Sequence, residues 1–191
     1  MMARNLYNGT SGTELKGKKL GIHAFGQVGR NVARIAKGFG MEVFAFDPYC
    51  PASVMEAEGV KPITDINELY STCQYVSLHI PATNETKKSI NYALLKQMPK
   101  GAMLINTARK EVINEEELVQ IMDERPDFRY VSDITPDNAS VFAEKFTGRY
   151  FFTPKKMGAQ TAEANINAGI AAAKQSVGFL KEGIDKFKVN K

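Results

Sequence analysis

Ala24-Phe25-Gly26-Gln27-Val28-Gly29 stands between an apolar run, Leu20-Gly21-Ile22-His23, and a helical pattern, and the next apolar run, Val43-Phe44-Ala45-Phe46, ends in Asp47. Strand, tight turn, helix and a second strand ending in an acid is the order that holds the pyrophosphate and ribose of a dinucleotide together. Gly26 would let the backbone approach the pyrophosphate, and Gly29 would let the helix lie close on the strand. The free N–H groups of Gln27 and Val28 would face the anion. Asp47, with Pro48 beside it, could accept hydrogen bonds from both ribose hydroxyls and would repel a 2′-phosphate, so NAD is expected rather than NADP. The usual first glycine is replaced here, and Ala24 is expected to fit only if its φ is negative.

The elements needed to position these residues are legible as an alternation of strand-like and helix-like segments, the signature of a parallel sheet covered on both faces. Strands are expected at Lys19–Phe25, Glu42–Phe46, Lys61–Ile63, Tyr75–Ile80, Met103–Asn106, Tyr130–Asp133 and Tyr150–Thr153. The first helix places Val28, Val32, Ile35 and Phe39 on one stripe, expected to face inward, with Gly40 ending it. Asp65 with Glu68, and Asn114 with Glu117, have capping-box-like spacing. Pro99-Lys100-Gly101 should break a helix at Tyr92–Met98, and a long final helix should run from about Ala162 to Lys181. The expected architecture is therefore an α/β, Rossmann-type, doubly wound parallel sheet of about six to seven strands. Residues 1–12 would be an arm or the end of a connecting helix, 13–160 the nucleotide-binding domain, and 161–191 a helix packing toward a further domain.

In an open parallel sheet the ligand lies beyond the carboxyl ends of the strands. Four clusters fall there: His79-Ile80-Pro81, Asn106-Thr107-Ala108-Arg109, Asp133, and Thr153-Pro154-Lys155-Lys156. With these in order, the chain from roughly Thr13 to Gly183 resembles the nucleotide-binding half of the D-2-hydroxyacid dehydrogenases. Within that family, the lysine pair and Gly158-Ala159-Gln160-Thr161-Ala162-Glu163 resemble the branch that acts on D-3-phosphoglycerate, at the entry to serine biosynthesis. The resemblance implies NAD-linked redox chemistry at a carbon bearing a carboxylate. It makes Arg109 the group that grips the carboxylate through two parallel hydrogen bonds. It places Asp133 near the nicotinamide carboxamide, and His79, Pro81, Thr107 and Ala108 along the cofactor cleft. His79 could equally be a hydrogen-bonded strand-end residue.

Two departures from the family pattern matter. Thr-Pro-His is usual where this chain has Thr153-Pro154-Lys155-Lys156, so either Lys155 or Lys156 takes the place of the proton-transferring histidine, Lys156 being preferred. The glutamate that would orient a histidine is replaced by Asn138, with Asp137 beside it. The two changes agree, because a lysine needs its pKa lowered to act as a base, and a nearby carboxylate would raise it. Family members also begin with a substrate-binding portion of roughly a hundred residues, for which nothing here corresponds, so a fragment, poorly active by itself, is expected. The rival readings are a hydroxypyruvate or glyoxylate reductase on the same machinery, and a non-catalytic NAD-binding module.

Composition limits other classes. Of 191 residues, 43% are hydrophobic and 24% charged, ordinary for a globular domain, and the net charge of +4 is spread along the chain. A small anionic ligand accounts for it better than nucleic acid does. No run is long enough for a membrane span and the start has no signal-peptide core, so a cytoplasmic protein is expected. Cys50 and Cys73 lack metal-ligand spacing and are expected to be reduced thiols, with no metal bound. The family resemblance and the amino-terminal arm suggest a homodimer.

Overall fold

The computed structural model describes residues 12–156, 158 and 160–186. The expected arm, apart from Gly12, lies outside them. Two units are distinguished, Met1–Pro154 and Lys155–Lys191.

The first unit holds seven strands: β1 (Lys19–His23), β2 (Glu42–Phe46), β3 (Lys61–Pro62), β4 (Tyr75–Leu78), β5 (Met103–Asn106), β6 (Arg129–Ser132) and β7 (Tyr150–Phe152). All pair in parallel, in the order β3-β2-β1-β4-β5-β6-β7. The chain runs outward from β1 to β3, then returns to lay β4 on the other side of β1. That reversal is the switch point where doubly wound sheets open a crevice. Between the strands lie α1 (Gln27–Gly38), α2 (Ala52–Ala57), α3 (Ile66–Thr72), α4 (Tyr92–Leu95), α5 (Glu115–Glu124) and α6 (Ala139–Lys145). The helices lie on both sides of the sheet.

The register separates the two faces. Leu20, Ile22, Val43 and Ala45 share one face and pack with Ala33 and Ala36 of α1. Val76, Leu78 and Leu104 share the other face with Leu69, Tyr70, Leu118 and Phe142 of α3, α5 and α6. Strands β1, β4 and β6 stop one or two residues short of the sequence expectation because the chain turns away at once to form the site loops.

The expected inward stripe of α1 is overturned. Val28, Ile35 and Phe39 are exposed and Val32 is half-buried, while Gly29, Ala33 and Ala36 face the sheet. The cause is close approach. A Cβ on Gly29 would lie 2.4 Å from the Ala24 carbonyl oxygen, so only the small-residue face can lie this near β1. Gly40, at φ 72, ends the helix as its pattern suggested. The capping pairs close differently from a capping box. Asp65 accepts from the Asn67 N–H, and Asn114 accepts from the Glu117 N–H while the Glu117 carboxylate holds the Tyr92 N–H of α4.

In the second unit, α7 (Ala162–Glu182) is capped by the Thr161 side chain, which accepts from the Ala164 N–H. Gly183, at φ 67, closes its other end with N–H bonds from Gly183 and Ile184 to the carbonyls of Phe179 and Gly178. No residue of α7 is buried.

Candidate functional site

The cofactor half of the site is built where β1 gives way to α1. Ala24 has φ 79, not the negative value expected for it. This is the left-handed region, which costs an L side chain about 1–2 kcal/mol. Packing imposes it, since the Ala24 carbonyl sits over the bare Cα of Gly29. The turn is also pinned by hydrogen bonds. The Ala24 N–H donates to the Phe46 carbonyl at 2.9 Å, and the Phe25 N–H donates to Asp47 Oδ2 at 2.8 Å. Arg30 Nε donates to the Phe25 carbonyl at 3.3 Å and is itself held by Glu58 at 2.9 Å.

Beyond the turn, Gly26 is the N-cap of α1, with no side-chain cap and no acidic residue in the first turn. The N–H groups and positive end of the helix therefore carry no counter-charge of their own, the condition under which a helix start takes an anion. A Cβ at Gly26 would meet nothing within 4 Å, so the missing side chain leaves open backbone for a pyrophosphate to approach. Gln27 and Val28 are exposed beside it. These features fit a dinucleotide.

Asp47 is half-buried at the end of β2, next to exposed Pro48. Its Oδ1 accepts from the Tyr49 N–H at 2.9 Å. Each carboxylate oxygen thus holds one backbone N–H and keeps capacity for a ribose hydroxyl.

Across the switch point, the His79 N–H donates to the His23 carbonyl, tying the ends of β1 and β4. His79 is half-buried with its Nε2 3.0 Å from Ser77 Oγ, and Pro81 is exposed. His23, which the sequence reading did not single out, lies under the turn with Nδ1 3.2 Å from the hydroxyl of fully buried Tyr70. Burial pushes its pKa down to about 4, against the opposing pull of Asp47, so it is a neutral imidazole. Burial also raises the Tyr70 pKa.

The β5 loop carries Thr107, Ala108 and Arg109. Ala108 is buried, Thr107 half-buried and Arg109 exposed. The Arg109 guanidinium donates to the Ala108 carbonyl at 2.9 Å. Asn106, fully buried, shapes this loop: its Oδ1 accepts from the Ala108 N–H at 2.9 Å and its Nδ2 donates to the Arg109 carbonyl at 3.0 Å. The sequence reading quoted Asn106 only as part of a cluster. Its signal was a polar residue at the inward position of an apolar strand, Met103-Leu104-Ile105-Asn106. Asp133 is half-buried after β6, and its N–H donates to the Asn106 carbonyl at 3.2 Å.

Asp137 does not stand free beside this loop: it pairs with Lys110 Nζ at 2.5 Å and thereby raises the lysine pKa. Asn138 stands at the N-cap position of α6 without a side-chain cap bond; its Nδ2 donates to the Glu115 carbonyl, while its Oδ1 is buried with no hydrogen-bond partner. The turn, Asp47, His79, Arg109 and Asp133 thus all follow strands of one sheet at their carboxyl ends. Lys155 and Lys156 are exposed and belong to the second unit.

Cys50 and Cys73 are free thiols, and burial pushes the Cys73 thiol up to about 12. Among the described residues no cluster could hold a metal ion, and no helix is long and apolar enough to cross a membrane.

Residues 2–150 match the family described as D-isomer specific 2-hydroxyacid dehydrogenase, NAD binding domain. The chloroplastic D-3-phosphoglycerate dehydrogenase 2 of Arabidopsis thaliana is 38% identical over 94% of this chain and 29% of its own length. A hydroxypyruvate reductase of Thermotoga maritima is 32% identical over 83% of this chain and 52% of its own. The NAD+-bound crystal structure of 3-phosphoglycerate dehydrogenase in Entamoeba histolytica is similar with a TM-score of 0.84 and 47% identity, covering 95% of this chain and 58% of that one. This chain therefore spans between about a third and three fifths of the length of these relatives. It belongs to the D-isomer specific 2-hydroxyacid dehydrogenases, as their NAD-binding domain.

Proposed function

We propose that this chain is the nucleotide-binding portion of an NAD-dependent dehydrogenase that interconverts a D-2-hydroxy acid and its 2-keto acid, with D-3-phosphoglycerate as substrate. The observation that carries the reading is the arrangement of an uncapped α1 start, Asp47 and Arg109 after strands of one parallel sheet, in a chain 47% identical to an NAD+-bound 3-phosphoglycerate dehydrogenase. NAD supplies the hydride acceptor or donor. The backbone at Gly26, Gln27 and Val28 binds the pyrophosphate, Asp47 the ribose, and Asp133 the nicotinamide amide, with Pro48, His79, Pro81, Thr107 and Ala108 lining the cleft.

Arg109 holds the carboxylate so that the neighbouring carbon has one orientation. Lys156, or Lys155 in its stead, takes the hydroxyl proton on oxidation and returns it to the keto oxygen on reduction. A protonated lysine suits the second direction with less tuning of its pKa.

The rest of the enzyme supplies the substrate-binding domain, toward which α7 packs. Exposed Ile166, Ile170, Val177 and Leu180 on that helix support this, since within its own unit the helix buries nothing. A homodimer is the proposed assembly, supported by the apolar stripe Val28, Ile35 and Phe39 that α1 leaves open. Two free cysteines agree with work in the cytoplasm.

Titration of the chain with NADH and NADPH should show binding of NADH with clear preference; equal affinity for both would remove Asp47 from the reading. In the complete protein, oxidation of D-3-phosphoglycerate should exceed that of glycerate. Lys156→Ala should collapse turnover while leaving NADH affinity within about twofold, unlike a merely structural loss. Preference for hydroxypyruvate, the activity named for the Thermotoga relative, would move the enzyme to the reductase reading. Nucleotide binding without turnover on any 2-keto or 2-hydroxy acid would leave a binding module.

A further inference from the structure

Asp47 meets the pyrophosphate turn before any ribose reaches it. Where a first glycine would take a left-handed conformation freely, Ala24 takes it at φ 79 with a methyl group in the way, so something must hold it there. Three contacts surround the strained residue. Its carbonyl is fixed against α1 over Gly29, its N–H is fixed by the Phe46 carbonyl, and the N–H of the following peptide, Phe25, is fixed by Asp47 Oδ2 at 2.8 Å. The first is a packing contact with α1, and the second continues the ladder at the end of β2. The third is a charge-assisted bond from a carboxylate whose other oxygen is pinned by the Tyr49 N–H. The Phe25 carbonyl, which belongs to the next peptide, is held in turn by Arg30, so both peptides flanking Phe25 are anchored.

We infer that Asp47 is a positioning residue for the pyrophosphate turn as well as the reader of the ribose: its carboxylate, on the Phe25 N–H, holds Ala24 in the left-handed conformation. This rests on the NAD reading of the site and deepens it. Ribose and pyrophosphate are then bound by one mechanical unit. Removing the carboxylate relaxes the turn and weakens the grip on the pyrophosphate, even for a ligand with no ribose hydroxyl for Asp47 to read. The replacement of glycine by Ala24 creates this dependence, so restoring glycine should remove it.

The test uses the chain with Asp47→Ala, Ala24→Gly and the two combined. The probes are NADH and an NADH analogue whose adenosine ribose lacks both hydroxyls. Asp47→Ala is expected to weaken the analogue about tenfold, because only a fraction of molecules would keep the competent turn. Adding Ala24→Gly should return analogue binding to within about threefold of the parent, while NADH binding stays impaired by the lost ribose bonds. Analogue affinity unchanged by Asp47→Ala, or an equal loss with and without Ala24→Gly, overturns the inference. Should Asp47→Ala fail to fold, Asp47→Asn keeps one acceptor for the Phe25 N–H and should give a smaller loss with the same rescue. If the parent chain binds neither nucleotide, the NAD reading falls and the brace is still decided without ligand. The drop in thermal midpoint caused by Asp47→Asn must then be smaller in the presence of Ala24→Gly, and an equal drop overturns it.

Discussion

The turn at Ala24–Gly29 and the loop at Asn106–Arg109 follow strands of the same sheet, yet they are held in opposite ways. In the turn, backbone meets backbone: a carbonyl lies over a bare Cα, and a carboxylate and a guanidinium grip the two polar groups of Phe25. In the loop, one buried amide, Asn106, fixes two backbone groups, and the side chain that would touch substrate is exposed and leans on a single carbonyl. The first geometry allows one shape only, suited to a cofactor that never varies. The second fixes where the arginine starts and leaves its guanidinium to adapt.

The largest expected effect comes from breaking the rigid side. Gly29→Ala puts a Cβ 2.4 Å from the Ala24 oxygen, and both atoms belong to backbone that is otherwise anchored. Overpacking of this kind costs about 3 kcal/mol or more, read as a lowered midpoint in thermal or urea unfolding. NADH binding should fall with it, since α1 must move off the sheet. A midpoint within a degree of the parent would mean that the turn is softer than its geometry implies.

Next comes the acid sensitivity of the same region. His23 is held at a pKa of about 4 by burial, against an ordinary 6.5. The unfolded chain therefore binds the extra proton first, and stability is lost as pH falls from 6.5 toward 4, by about 3 kcal/mol at most. Paired His23→Leu and Tyr70→Phe substitutions remove both partners of the hydrogen bond and should flatten that part of the stability–pH curve. A slope that survives the double change would have to come from other groups.

On the loop side, Asn106→Ala leaves the Ala108 N–H and Arg109 carbonyl without their buried partner, worth about 2 kcal/mol. The comparison predicts a split. Substrate KM should rise in the complete protein by more than NADH affinity in this chain falls, since the loop carries both Arg109 and the proposed cleft residues Thr107 and Ala108. Equal damage to both would show that the two regions act as one.

The sequence foretold the sheet well, because strand runs such as Tyr75-Val76-Ser77-Leu78 and the acid after β2 are local signals. It misjudged α1 because periodicity identifies an apolar stripe without saying what covers it. Val28, Ile35 and Phe39 form a genuine stripe, but closeness to β1 admits only Gly29, Ala33 and Ala36. It misjudged the φ of Ala24 for a related reason: the strain is tolerated through Phe46 and Asp47, partners distant along the chain that a local reading cannot supply. The positions of Asp47 and Arg109, just beyond the ends of β2 and β5, were legible. The supports, Asn106, His23 and Tyr70, were not, because a buried polar residue in an apolar run looks the same whether it braces a loop or fills a core.

The smallest effect on stability should come from the residue proposed to grip the substrate. Arg109 is exposed and makes one hydrogen bond to a neighbouring carbonyl, so Arg109→Ala should change unfolding free energy by no more than about 0.5 kcal/mol. NADH affinity should stay within about twofold, because the turn, Asp47 and the α1 start are untouched. In the complete protein, however, loss of a bidentate, charge-assisted grip should raise KM for the hydroxy acid by about a hundredfold. Arg109→Lys should recover little of this, because an ammonium group keeps the charge and lacks the two parallel donors. Recovery by lysine would mean that the site needs only a positive charge. The loop that Asn106 shapes would then be positioning a field rather than a fork, and the contrast with the tightly specified cofactor turn would be sharper still.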